Sequence, residues 1–363
     1  MKRLVMVGAE VSQLSLLEGL AAGHVKASEP LLISSTPAYI HEGMQPGWLA
    51  GRHDEELMSL DLRAFAERAG CRYVEGDVRR IDAAAHTIEL TDGRTERWEA
   101  LSLARNSVPC DARVPGAAEF SIPIRPMARA REILPAITRA QQTFDQREIR
   151  VAVIGASSRG FETACALRAR LRHDGTSATI MLVDGKPNLL PDCHPAAGSL
   201  ADRVLRRVNI GTALGARVAE LSRRGLRLTS GAIIPADVVV WTIGHAPVAG
   251  LRDSGLALDE RGFVEVDATF RSVSHPDVFV AGASADMGTV LTDNVAAFCG
   301  DAPSPRFRRY QPPVRQFTLL DCGDGSALLA YGGMAREGRM AMRLKDSLDR
   351  RFLGRYQRLA GVT

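Results

Sequence analysis

The chain repeats itself. Residues 4–34 and 150–184 each read as an apolar strand, a turn opened by glycine, a stretch with helical spacing and a second apolar strand. The first copy opens "LVMVGAEVSQLSLLEGL" and the second "IRVAVIGASSRGFETACALRARL". Each is one βαβ unit, and two of them predict an α/β protein with two Rossmann-type dinucleotide-binding domains. With 363 residues there is material for two or three domains. Charged residues make up 24% and hydrophobic ones 45%, ordinary globular values that exclude global disorder and a membrane-embedded body.

Around the repeats, strands are expected at 3–7 and 30–34 with a helix at about 12–22 between them. A Gly/Pro/His-rich loop (39–53), a short helix (62–70) and a meander across 71–103 with an Asp92-Gly93 turn follow. A stretch rich in Pro and Ala (108–126) reads as a crossing between domains, and a helix is expected at about 127–143.

The second turn carries the cleaner dinucleotide fingerprint. Gly155, Ser157 and Gly160 stand at its three glycine positions, and Asp184 ends the next strand 24 residues after Gly160. Gly155 permits the tight turn, Gly160 lets helix and strand approach, and the helix N-terminus around Ser158 presents unpaired N–H groups to a pyrophosphate. A carboxylate at Asp184 accepts ribose hydroxyls and repels a 2′-phosphate, which favours NADH over NADPH. Ser157 is the imperfection, although its hydroxyl is small and can itself donate to phosphate.

At the first turn only Gly8 remains; Glu10 and Gln13 occupy the other two glycine positions. A carboxylate about 4 Å from one phosphate charge costs roughly 4 kcal/mol at an effective dielectric of 20, nearly a thousandfold in affinity. The expectation is a turn that keeps its shape while Glu10 satisfies the helix donors itself. If Glu10 swings outward, Ser12 and Ser15 become the phosphate donors.

The six cysteines (Cys71, Cys110, Cys165, Cys193, Cys299, Cys322) include no CxxC or CxxxxC pair and are read as reduced thiols. The N-terminal apolar run is too short for a signal-peptide core, and no run approaches the ~20 residues of a membrane span. A cytoplasmic protein is expected. The eight histidines form no metal-ligand pattern, and no GxSxG elbow supports hydrolase chemistry. Residues 341–359 place Leu344, Leu348, Phe352, Tyr356 and Leu359 on one helical stripe among arginines. Such a helix either lies on anionic lipid at the inner membrane face or packs on the body or on a second subunit, as in a homodimer. Nucleic-acid binding is not expected, because no aromatic residues interleave the basic stretch.

Seven stretches carry a resemblance: "GMQPGWLAG", "LSLARNSVP", "RPMARA", "GASSRGFE", "ADVVVWTIGHAP", "GFVEVDATFRSVSHPDVFVAG" and "RLKDSLDRRFLGRY". Along nearly its whole length the chain resembles the two-dinucleotide-binding-domain flavoproteins of the pyridine nucleotide-disulfide oxidoreductase superfamily. Within that superfamily it looks most like the type II NADH dehydrogenase group and the flavoprotein module fused to selenide water dikinases.

The resemblance implies an FAD-type Rossmann domain (1–120 and 246–300) and an inserted NAD-type domain (121–245). A small C-terminal α+β interface segment (301–363) completes the architecture. It implies FAD at Gly8, Ala9, Glu10, Ser12, Ser34, Met44, Pro46, Gly282 and Ala283. NADH is implied at Gly155, Ser157, Ser158, Gly160, Asp184 and Gly244. Glu162, near the nicotinamide, is the candidate catalytic residue, and His41 with Glu42 is a candidate proton relay. Hydride passing from NADH through flavin to a quinone or small acceptor needs no cysteine.

Departures from the family cluster on the flavin half: Glu10, Gln13, Ser34 or Ser35 in place of a ribose-binding acid, Asn106 in place of a glycine, and Ala283-Ser284 in place of an aspartate. The helix after "VFVAG" is expected to be shortened to "TVLTDNVAAFCG". These departures support an alternative: a flavin-free relative that acts as an NADH-binding sensor or an assembly factor.

Overall fold

The computed structural model describes residues 1–105, 107–108, 114–143, 147–244, 246–247, 250–300, 302, 304–313 and 317–361. Asn106 and Cys110 lie outside them.

Two five-stranded parallel sheets organise the chain. In the first, the spatial order is Val278–Ala281, Ala100–Ala104, Arg3–Val7, Ser28–Ser34, Arg72–Glu75. Val5 is opposite Leu31 on one side and Leu101 on the other. In the second, the order is Ile122–Pro123, Val238–Trp241, Ile149–Ile154, Ala178–Asp184, Gly211–Leu214. Both sheets place the strand that precedes a glycine turn at their centre. The first sheet takes its last strand from beyond the second sheet's residues, so the second unit is inserted in the first. Strands such as "LVMV" and "VAVI" are unbroken apolar runs because a parallel sheet is covered on both faces.

Each sheet is covered in the same way. In the first unit, helices Val11–Ala21 and Ala285–Cys299 lie on one face, and a three-stranded meander (Val78–Asp82, Thr87–Leu90, Thr95–Arg97) packs Ile81, Ile88 and Leu90 against the other. In the second, helices Ser158–His173 and Pro195–Arg207 take one face, and the meander Val218–Ser222, Gly225–Leu228, Ile233–Pro235 takes the other.

The C-terminal piece spans the two units. Its strands Phe317–Asp321, Ala327–Tyr331 and Met334–Gly338 send Leu320, Leu328 and Ala330 into the core of the second unit. The following helix, Arg339–Ala360, sends Leu353, Tyr356 and Ala360 into the core of the first. No helix among the described residues is long and apolar enough to cross a membrane.

Three expectations are corrected. The helix after "VFVAG" is not shortened: it runs Ala285–Cys299, capped at Ser284. Gly288 hides its first turn from the sequence, and packing explains that glycine, since a Cβ there would lie 2.3 Å from Ser15 Oγ on the neighbouring helix. The Gly/Pro/His-rich loop contains a short helix, Gln45–Leu49, begun by a single 3-10 turn at Glu42–Met44. The buried face of the C-terminal helix is Met342, Lys345, Leu353, Tyr356 and Ala360, while Leu344 and Leu348 remain exposed at 40% and 41%. The stripe read from the apolar residues is rotated from this face because Lys345 turns inward to carboxylates.

Candidate functional site

The two glycine turns emerge from the carboxyl ends of their central strands, where α/β sheets place their ligand crevices. Gly8 (φ +97°) donates its N–H to Ile33 O at 2.8 Å, and Gly155 (φ +112°) donates to Val183 O at 2.7 Å. Both positions demand glycine's left-handed freedom.

The third fingerprint position separates the turns. A Cβ on Gly160 would sit 1.7 Å from Gly155 O, so the second helix lies directly on its strand. In the first turn this place belongs to Gln13, whose buried amide donates to Ser102 Oγ at 3.1 Å and to Ser102 O at 3.3 Å. The side chain fills the interval that glycine would have closed. Ser12 is likewise fully buried, its Oγ bonded to Gln13 Oε1, and Ser15 Oγ donates back to Val11 O. Neither hydroxyl is available to phosphate, which corrects the reading of Ser12 as a cofactor contact and of Ser15 as its companion.

Glu10 caps the first helix through its backbone, whose carbonyl accepts from Gln13 and Leu14 N–H, while its side chain makes no cap hydrogen bond. The expectation that Glu10 fills its own anion site is therefore corrected. Its carboxyl instead shares the cleft with Glu42, Arg125, Arg105 and Arg159. Burial, then the negative charge of Glu42, pushes its pKa up to about 7 against the pull of the three arginines. Ser34, at the end of its strand, is buried and donates to Thr36 O.

In the second turn, both oxygens of Asp184 hold backbone: Oδ2 accepts from Ala156 N–H and Oδ1 from Lys186 N–H, each at 2.7 Å. Ser157 caps its helix in an extended conformation without a side-chain bond. The N–H of Ser158, first residue of that helix, donates to both carboxylate oxygens of Asp192 at 3.1 and 3.2 Å. Leu190 N–H bonds Ala156 O at 2.8 Å, which holds the segment that carries Asp192 over the turn. Gly244 (φ +91°) follows the strand Val238–Trp241. Gly282 lies three residues ahead of the helix at Ala285, with Ala283 next to it.

Between the units lies a cavity of about 280 Å³. Gly43, Pro46 and Leu49 line it from the first unit, and Ser158, Arg159 and Glu162 from the helix of the second; Met44 is buried beneath. An ion-pair bridge crosses it: Arg159 Nη2 is 2.9 Å from Glu42 Oε2, and Arg125 Nη1 is 3.0 Å from Glu42 Oε1. Burial pushes Glu42 up, but the two guanidinium groups outweigh it and hold the carboxyl below its usual range. Arg159 Nη1 is buried and meets no acceptor among the described residues.

Glu162 has moved the other way. Burial pushes its carboxyl up to about 7, although Lys345 and the N–H of Asp321, which donates to Glu162 Oε1 at 2.8 Å, both favour the charge. Lys345, itself buried, donates to Gly43 O and to Asp349 Oδ2 (2.8 Å). Burial alone lowers the pKa of Lys345, but Glu162, Asp349 and Asp321 raise it above the ordinary lysine value. Asp349 Oδ1 meets His41 Nε2 at 3.0 Å, and His41 stacks on Phe352. Arg52 pairs with Asp321. The C-terminal helix thus brings Lys345 and Asp349 up behind two residues that line the cavity, Gly43 and Glu162. Sequence reading brought Glu162, His41, Glu42, Met44 and Pro46 to this place but missed Arg159, Arg125, Asp192, Lys345 and Asp349. Arg159 alone stands inside the fingerprint, directly before Gly160.

The residues fit a dinucleotide at the second turn, where Gly155 and Gly160 keep the first and third glycine positions, Ser157 takes the second, and the side chain in the way is the chain's own Asp192. They fit a flavin in the first unit when Glu10 is protonated: Gly8 holds the turn, the helix at Ala285 has no side-chain cap, and Arg159 Nη1 is a spare donor.

Among solved structures, NDH2 of Plasmodium falciparum in complex with NADH superposes with a TM-score of 0.83 at 10% identity, covering 97% of this chain and 96% of that one. The sulfide:quinone oxidoreductase of Aquifex aeolicus gives 0.82 at 16% identity, covering 99% and 92%. In sequence, an NADH dehydrogenase-like protein of Mycobacterium tuberculosis is 29% identical over 222 residues, 59% of this chain and 55% of that protein. The type II NADH:quinone oxidoreductase NdhA of the same organism is 25% identical over 310 residues, 77% and 65%. The chain therefore spans little more than half the length of the first of these relatives. Residues 2–300 match the sequence profile of one family, and by that match the chain belongs to the pyridine nucleotide-disulphide oxidoreductase family.

Proposed function

We propose that the protein is an NADH-dependent flavoprotein oxidoreductase that passes electrons from NADH to a quinone or another small acceptor. The observation that carries this reading is the cavity between the two units, lined by Gly43 and Pro46 of the first and by Ser158, Arg159 and Glu162 at the start of the second unit's helix. Type II NADH:quinone oxidoreductases among the relatives support the same substrate pair.

In this reading NADH lies along Gly155, Ser157, Ser158 and Gly160, with its adenosine ribose toward Asp184 and its nicotinamide end toward Gly244 and Glu162. Gly8, Ala9 and Glu10, with Ser34, Met44, Pro46, Gly282 and Ala283, would hold FAD. The flavin, when bound, supplies the carrier that separates hydride acceptance from electron delivery. The chain's own residues orient and protect. Pro46, Leu49 and Ile124 give the cavity apolar walls. The Arg159–Glu42–Arg125 bridge restrains its mouth and excludes water. Glu162, with a pKa of about 7, takes up or releases a proton at its carboxyl oxygens near neutral pH, and Lys345 steadies the ionised form. The five described cysteines are unpaired and, apart from Cys193, buried. No thiol step enters the reading.

Exposed Leu344 and Leu348, flanked by exposed Arg343, Arg350 and Arg351, support peripheral contact of the C-terminal helix with anionic lipid or with a second copy.

The experiment is to purify the protein, record its absorption spectrum and identify the small molecule released on denaturation. Bound FAD and NADH oxidation with a quinone support the proposal. A second reading rests on Glu10, Gln13 and Ser34: a flavin-free relative that binds NADH as a sensor or assembly factor. A preparation that is colourless, and stays so after refolding with FAD, selects it.

A further inference from the structure

We propose that Asp192 is a built-in competitor at the second turn: its carboxylate occupies the N–H of Ser158 that a dinucleotide's pyrophosphate needs, and NADH enters only as that side chain is displaced. The proposal rests on the reading of this turn as the NADH site.

Three observations support it. Ser158 opens a helix of 16 residues whose cap, Ser157, offers no side-chain acceptor. The anion at this N-terminus comes instead from Asp192, 34 residues along the chain, with both oxygens in reach of one N–H. A phosphate would find the same donor and the same positive end of the helix dipole. Second, the segment that delivers Asp192 is tied down independently of the carboxylate. Leu190 N–H bonds Ala156 O, Lys186 N–H bonds Asp184, and Leu190 takes up a left-handed φ of +49° to make the bend. The backbone stays in place while the side chain leaves.

Third, Asp192 is exposed, and among the described residues no cationic side chain pairs with it. Its displacement therefore needs a side-chain rotation into water and the opening of no core. An anionic ligand supplies the replacement acceptor, whereas a ligand without phosphate gains nothing from the exchange. The device selects for pyrophosphate and lowers affinity for all such ligands alike.

The test compares wild type, Asp192→Ala and Asp192→Asn in the full chain, by calorimetric titration with NADH and with ADP-ribose, and by hydrogen exchange at Ser158 N–H without ligand. The expected result is faster exchange in Asp192→Ala and at least tenfold tighter binding of both ligands to both variants. Equal or weaker binding by the variants overturns the proposal, as does unchanged exchange at Ser158. If neither wild type nor variants bind NADH while exchange accelerates in Asp192→Ala, the NADH reading of the turn fails and the competitor role falls with it. That pattern differs from equal binding by all three proteins, which rejects only the competitor role.

Discussion

Arg159 Nη2 lies 2.9 Å from Glu42 Oε2, so the helix of the second unit is tied to a loop of the first across the cavity that both line. Burial is the main cause of the raised pKa of Glu10, and the same pair acts on it in opposite senses: Glu42 raises it, whereas Arg159, with Arg125 and Arg105, lowers it. Glu42→Gln should lower the pKa of Glu10 from about 7, and Arg159→Leu should raise it. Carboxyl chemical shifts followed through a pH titration would report both; a shift in the opposite sense in either variant contradicts the described cluster.

Flavin affinity should depend on pH through Glu10. The ionised carboxyl repels the pyrophosphate, whereas the neutral acid donates a hydrogen bond to it, so binding weakens as pH rises through about 7. Between pH 6 and 8 the neutral fraction falls roughly tenfold, and FAD affinity should fall by about that factor. Glu10→Gln should flatten the profile and Glu10→Gly should bind FAD more tightly at pH 8. Quenching of flavin fluorescence on binding measures both, and a profile that Glu10→Gln leaves unchanged rules out this role.

Glu162 makes a stability prediction. Its pKa in the folded chain is about 7 against an ordinary 4.5, so the folded state holds a proton that the unfolded state has released. Stability is therefore full below about pH 4.5 and declines as pH rises through 7. Glu162→Gln keeps an acceptor for Asp321 N–H and removes the titration. The variant should gain on the order of 2 kcal/mol over wild type at pH 8, because solvent reaches part of the side chain and screens the full shift, and almost nothing at pH 4.5. Urea denaturation at the two pH values checks it; an equal gain at both would mean the effect is not ionisation.

The two turns should respond differently to alanine. Gly160→Ala drives a Cβ into Gly155 O and should cost roughly 2–4 kcal/mol together with nucleotide binding. Gln13→Ala removes the amide that serves Ser102 and should cost about 1–3 kcal/mol while the turn survives. Denaturation midpoints of the two variants separate these cases.

The strands and both turns were legible because parallel strands buried on two faces are written as unbroken apolar runs, and Gly8 and Gly155 mark the turns. What escaped depended on distant neighbours. Gly288 reads as a helix breaker until Ser15 is seen against it, and Lys345 reads as a solvated lysine until Glu162 and Asp349 are found around it. Asp192 is one acid in a loop, and only the fold sets it against the N–H of Ser158. Periodicity records local burial and is blind to charges that meet across a cleft.

Anaerobic addition of NADH to the protein refolded with FAD tests the central claim most directly. A yellow protein whose flavin absorbance bleaches on NADH, and returns when a quinone is added, is the predicted result. A protein that takes up no flavin, or holds flavin that NADH leaves oxidised, contradicts the account.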